Sequence, residues 1–359
     1  MLVCLIFANM RQTIFLLLMI PALLLIHSFS QENLRDQYTK APAEWPAPLI
    51  DEGVAWTELG PLPPSPLAGK EDSLKHIIEL GKILFFDPRL SASGKISCSS
   101  CHQPQLNWTD GKAKAVGHEG AMTKRNSPSI ANTWFYRRLF WDGRSRDLQD
   151  QAFAPIISES EMASDMPDVM IKLRRNQNYR ELFKKAYGDD QISPDRMTGA
   201  IALFEKTVIS RKNRFDQFLE GDRKALTNAE IRGLHLFRTK ARCMNCHHGP
   251  LMTDNQFHRT GFSGDDAGYY KLTHQDADSG KFKTPSLRDV MQTGPWMHDG
   301  MQQDMTAILE AFNRPSQPGI RNNLIKPLGL TKREKADLLA FLKAISAPAV
   351  EFIPPSLPE

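Results

Sequence analysis

Two short stretches, CSSCH at Cys98–His102 and CMNCH at Cys243–His247, combine residue types and spacing that can do chemistry. In a CxxCH motif the two thiols add to the two vinyl groups of one haem, and the adjacent imidazole ligates the iron. The spacing is geometric: one helical turn holds both sulfurs at the porphyrin edge and presents the histidine beneath the metal. Cys98, Cys101 and His102 are therefore expected to hold one haem c, and Cys243, Cys246 and His247 a second. The chain has five cysteines. Cys4 lies in an apolar leader, and the two motifs consume the other four, leaving none for a structural disulfide. Two rivals are a four-cysteine zinc site built from both pairs and two redox disulfides. Both leave the histidine after each pair unexplained.

A further histidine, His118, lies sixteen residues beyond His102 on a loop flanked by Gly117 and Gly120. A haem that only carries electrons needs two permanent axial ligands, whereas one that does chemistry needs an open side. The glycines allow the backbone to move. By its residues alone His118 reads as an exposed loop histidine.

The elements that must position these residues are mostly helical. Before each haem motif runs a helical segment with a glycine followed by an apolar pair, Leu84-Phe85 or Leu236-Phe237. Thr227 with Glu230, and Thr331 with Glu334, form capping boxes. The second box opens a helix whose Leu338, Leu339, Phe341, Leu342 and Ile345 make an apolar stripe. Ser193 and Pro194 start another helix, and MPDVMIKLRRNQNYRELFKKAY reads as one or two amphipathic helices. Residues 41–67 carry seven prolines and should be extended, and 260–282 reads as a long loop. The expected fold is mainly α: two c-type cytochrome-like haem domains with long loops and little β structure. The expected division is a leader at 1–30, an extended Pro-rich arm at 31–70, haem domains at 71–222 and 223–347, and a tail at 348–359.

The net charge of +4 is scattered, which argues against nucleic acid or an anionic membrane as partner. Arg11 precedes the apolar run Ile14–Ile26, followed by Ser28 and Ser30 at small-residue cleavage positions. Met10 is an alternative start. Thirteen apolar residues suit a signal-peptide core and are short for a span, so export to a periplasm is expected, with an uncleaved anchor as the alternative.

Taken together, CSSCH, VGHEG, KRNSPS, FWDGRSRDLQDQA, SESEM, CMNCH, LMTDNQFHRTGF, FKTPSLRDV and GPWMHDG, in this order, resemble the bacterial di-haem cytochrome c peroxidases and their relatives of the MauG type, which oxidise protein side chains. The resemblance runs from about Leu74 to Ile345. It implies that His102 is the proximal ligand of a peroxidatic haem and that His118 is its distal ligand in the resting oxidised state. Gln151 and Glu161 match the distal pocket, where Glu161 would take a proton from one peroxide oxygen and return it to the other. Trp141 matches the tryptophan between the haems. Asn126, Thr293 and Pro295 match the surroundings of an inter-haem calcium ion. MauG-type enzymes generally lack the distal histidine, so His118 favours a peroxidase.

The chain departs from the family at the second haem. Fourteen residues beyond His298, where peroxidases have Met and MauG-type enzymes Tyr, stands Phe312, which has no donor atom. The second iron is then five-coordinate, or ligated by Met297, Met301 or Met305, or part of a modified cycle. His248 is expected near the surface or a propionate, and His298 as a hydrogen-bonding neighbour of the second haem. His76, His235, His258 and His274 read as structural or solvated, and Trp108, Trp134 and Trp296 as packing residues.

The expected activity is reduction of hydrogen peroxide to water with electrons from a small cytochrome c or cupredoxin, delivered through the second haem, in a chain that could form a homodimer. Its rival is MauG-like oxidation of tryptophan or tyrosine in a partner protein. A non-catalytic di-haem electron carrier is the third reading, and the Glu161–Gln151 pair argues against it.

Overall fold

The computed structural model describes residues 34–262, 264–314, 324–349 and 351–359. The expected leader at 1–30 lies outside them. Helix accounts for 43% and strand for 4%, so the class is mainly α, as expected.

Local signals explain where the helices start and stop. Helix α1 spans Glu71–Phe86, and the CSSCH motif forms the single turn α2, Cys98–Cys101, inside a Ser97/Ser100 capping box. Helix α3 (Leu148–Ile157) is capped by Asp147, and α4 (Met166–Arg175) by Asp165. The amphipathic stretch is two helices. Asn176 ends α4 and its side chain caps α5 (Gln177–Tyr187), accepting from Tyr179 N, so one residue stops and restarts the helix. Ser193 caps α6 (Pro194–Glu205), and Asn213 caps α7 (Arg214–Leu219). Both capping boxes read from sequence are formed, on α8 (Asn228–Arg238) and on a helix at Lys332–Ala344.

Within 260–282 the described residues are more structured than the expected long loop. They contain the turn α9 (Tyr270–Thr273), and a two-residue strand β1 (Phe257–His258) pairs antiparallel with β2 (Phe282–Lys283). The physical reason is aromatic: Phe257 stacks on Tyr269 at 3.9 Å between centroids, and Phe282 on His298 at 3.7 Å. Helix α10 is Met305–Asn313, and the Lys332–Ala344 helix is α11.

The interior forms two large apolar clusters. In the first, α1 lies against α6, with α3 and α5 alongside. In the second, α8 lies against α11, with α10 beside it. The same device closes both. A Cβ on Gly81 would overlap the Ala200 carbonyl oxygen of α6, and one on Gly233 the Asp337 carbonyl oxygen of α11. The glycine of each repeated helix is the point where two backbones touch.

The chain ends cross over. Tyr38, Trp45 and Leu59, from the proline-rich arm, are buried in the second cluster. The rings of Tyr38 and Trp45 lie against the guanidinium of Arg238 of α8, which is fully buried. Its guanidinium donates to Pro46 O at 2.6 Å and Tyr38 Oη at 3.1 Å, and pairs with Glu58. At the other end, Phe352 stacks on Phe86 of α1 (5.4 Å) and meets Trp108 edge-on (5.2 Å).

Candidate active site: two cavities with a shared wall

Each CxxCH turn borders its own cavity. The first, about 450 Å³, is lined by Cys98, Cys101 and His102 together with Gln151, Glu161, Arg144 and Glu205. The second, about 300 Å³, is lined by Cys243, Cys246 and His247 together with Met297, Met305 and Phe312. Asn126, Pro128, Ser129, Tyr136, Trp141, Lys283 and Pro285 line both, so they form the partition.

The motif residues suit covalent haem. His102 N donates to Cys98 O at 3.0 Å and His247 N to Cys243 O at 2.7 Å, which closes one turn in each motif. His102 Nδ1 lies 3.1 Å from Trp108 O, and His247 Nδ1 2.9 Å from Met252 O. A carbonyl can only accept, so Nδ1 carries the proton and Nε2 keeps its lone pair for a metal. Burial lowers both imidazole pKa values, which keeps the rings neutral. None of the four motif cysteines is paired in a disulfide. Burial pushes Cys101 up to about 11 and Cys243 up to about 12, and raises Cys98 and Cys246 as well.

The distal candidates, ten residues apart in the chain, both line the first cavity. Gln151 comes from α3 and Glu161 from the turn after it. Burial raises the Glu161 carboxyl pKa, and the Arg144 guanidinium partly offsets this. His118 stands apart: its side chain lines neither cavity. Its backbone N donates to Glu161 O at 2.8 Å, and its Nδ1 is buried without a partner. The loop turns through Glu119 (φ +51°) and Gly120 (φ +82°).

Trp141 is held in the partition by its indole, which donates to Asn126 O at 3.0 Å. Thr293 and Pro295 line only the second cavity, while Asn126 borders both. Asn126 Nδ2 is engaged by Lys112 O at 2.8 Å. Among the Met candidates for the second iron, Met305 is buried and, with Met297, lines the cavity, whereas Met301 is 63% exposed and lines neither. Phe312 faces the cavity against Phe262, 5.6 Å between centroids.

A family model described as di-haem cytochrome c peroxidase matches residues 75–224. The methylamine utilization protein MauG of Methylophilus methylotrophus is 34% identical over 327 residues, covering 87% of this chain and 96% of that protein. The cytochrome c551 peroxidase of Nitrosomonas europaea is 36% identical over 302 residues, covering 82% and 87%. The chain belongs to the di-haem cytochrome c peroxidase family. Among solved structures, a MauG-like protein associated with microbial copper homeostasis aligns with a TM-score of 0.69 and 30% identity, over 84% of this chain and 93% of that one.

As a di-haem peroxidase family member, the chain is an oxidoreductase built for two c-type haems. The donor sets fit them: in each cavity two thiols and one neutral imidazole with a free Nε2 would hold the group. Among the described residues, the one cluster with metal-ligand spacing is Cys246, Asp254 and His258. Its sulfur belongs to CMNCH, and its His258 Nε2 lies 2.6 Å from Asp254 Oδ2, so it reads as a braced histidine beside the second cavity.

Sequence reasoning missed several lining residues. Tyr136 and Glu205 carry no motif of their own, and Arg144 lies in FWDGRSRDLQDQA, which gave roles only to Trp141 and Gln151. Lys283 lies in FKTPSLRDV, which served only as a mark of resemblance. His258 was read as structural or solvated and borders the second cavity. The packing role expected for Trp108 holds, since it lies edge-on to Phe85 and Phe204.

Proposed function

We propose that this protein is an exported, periplasmic di-haem peroxidase that reduces hydrogen peroxide to water, using electrons from a small cytochrome c or cupredoxin that enter at the second haem. The observation that carries this reading is the convergence of Glu161 and Gln151 on the cavity of CSSCH. An electron carrier has no use for an acid–base pair over its haem. Residues 71–222 and 223–347 are taken as one haem unit each. Among the described residues no helix is long and apolar enough to cross a membrane.

Bound haem supplies the iron and the one-electron steps; the chain supplies proton handling and access. Glu161, with its carboxyl pKa raised by burial, takes a proton from one peroxide oxygen and returns it to the other. Gln151 orients the oxidant through its amide. Trp141 spans the partition and shortens the path between the two sites. His118 would restrict access to the first site in the resting enzyme and withdraw on activation. Its position outside the cavity wall and its loop with two positive-φ residues support a ligand that moves. Asn126, Thr293 and Pro295 are proposed calcium ligands at the junction, and a homodimer is the proposed assembly.

The test is steady-state peroxide consumption by mature holoenzyme with reduced cytochrome c. Fast turnover is expected. Negligible turnover together with covalent change in tryptophan or tyrosine of a partner protein would replace this reading with a MauG-like one. Phe312 in the second cavity, where a peroxidase has methionine, is the observation that keeps that alternative specific.

A further inference from the structure

Lys283 is the C-terminal residue of β2 and borders both cavities. Its backbone N donates to Trp141 O at 2.9 Å, which fixes it to the partition. Its Nζ lies 3.5 Å from the centroid of the Tyr136 ring. By surface area it is half-buried, yet protein surrounds the ammonium closely enough to pull its pKa down to about 7. The area left open is cavity wall.

This cation has no carboxylate partner among the described residues. The second cavity has no Asp or Glu in its wall. Its other lysine and arginine side chains are paired elsewhere: Arg242 and Lys326 with Asp51, and Arg288 with Asp216. In the first cavity, Asp142 is taken by Arg125 and Arg144, and neither Glu161 nor Glu205 pairs with Lys283. The Tyr136 hydroxyl accepts from Ser286 N at 2.7 Å, and burial raises its pKa to about 12, so it supplies a ring face and no anion. A desolvated ammonium held this way is costly unless what fills the cavity brings negative charge. A porphyrin is apolar except for two carboxylates.

We propose that Lys283 binds a porphyrin carboxylate at the partition, pinning the haem there and raising its reduction potential. The proposal rests on the di-haem reading. It makes Lys283 a positioning residue placed between two redox centres. A cation beside the porphyrin favours the reduced form, and an unneutralised carboxylate disfavours it.

The test compares holoenzyme carrying Lys283→Met, Lys283→Gln and Lys283→Arg. Haem content is counted by pyridine haemochrome, and both midpoint potentials are measured by spectroelectrochemical titration. In the Met and Gln variants one potential is expected to fall by at least tenfold in the reduction equilibrium, about 59 mV for a one-electron couple. The haem that shifts identifies whose carboxylate is held. The Arg variant should stay close to the unaltered protein. Two unchanged potentials in a neutral variant with both haems attached would overturn the proposal, as would an Arg variant shifted as far as Met. Fewer than two haems in the unaltered protein would overturn the di-haem reading, and this proposal with it. Should the Met variant not fold, the Gln and Arg pair decides.

Discussion

In the proposed mechanism Glu161 is the proton carrier of the first cavity and His118 the gate to it, and single substitutions separate the two roles. Glu161→Gln keeps the shape and removes the base. Turnover should fall by about 10²–10⁴-fold, with both haems still attached by pyridine haemochrome. His118→Gly should give an enzyme active without prior reduction; a variant that still required it would count against the gate. The two residues are joined through the backbone, His118 N to Glu161 O, so movement of the loop is felt at the proton carrier. Nothing local marks Glu161 as special in the sequence. It became legible only through the family resemblance of SESEM, because a glutamate in a turn is ordinarily solvated. Lys283 was less legible still, since its meaning lies in which side chains do not accompany it.

At the scale of elements, the glycines before each haem motif set how closely the paired helices approach. Elsewhere in a helix, Gly→Ala stabilises by about 1 kcal/mol. At Gly81 and Gly233 the added methyl would meet the backbone of α6 or α11, so the sign reverses. Gly81→Ala and Gly233→Ala should each destabilise by about 1–3 kcal/mol, measured by chemical denaturation of holoenzyme. An increase in stability would show that these helices part without cost. The helix starts were legible because caps are local: Thr227 with Glu230 and Thr331 with Glu334 form the reciprocal bonds their spacing implies. The pairing of β1 with β2 was not, because two-residue strands offer no periodicity, and stacking of Phe257 on Tyr269 is invisible in sequence.

At the scale of the molecule, charged groups tie the loops over the partition together. Arg125 pairs with Asp142 at 2.5 Å and with Asp266 at 2.8 Å, and Lys271 adds a bond to Asp266. Burial pushes both carboxyls up. For Asp266 the bonds from Arg125, Gly268 N and Lys271 outweigh it, and for Asp142 the charges of Arg144 and Arg125 do, so both end below the ordinary carboxylate range. A carboxyl whose pKa is lower folded than unfolded stabilises fully above its unfolded value, about 3.9 for Asp. That stabilisation fades as pH falls below that value towards the depressed folded one. Asp266→Asn should therefore lower the melting temperature at pH 7 and make little difference at the acid end of a pH series followed by thermal denaturation. A constant difference across pH would show that the ion pairs contribute no pH-dependent stability.

The sequence by itself determined what is local: the two CxxCH spacings, the histidine one turn away from the first cysteine in each motif, and most helix caps. These depend on residues within a few positions of one another, so spacing suffices. Only the tertiary structure decided that Glu161 and Gln151 face CSSCH, that Met301 points away from the second cavity while Met305 lines it, and that Lys283 stands in the partition. It also decided that the N-terminal arm is buried in the second cluster while Phe352 returns to the first. Those contacts join residues far apart in the chain, and their energy comes from apolar burial and charge desolvation, which no local pattern records.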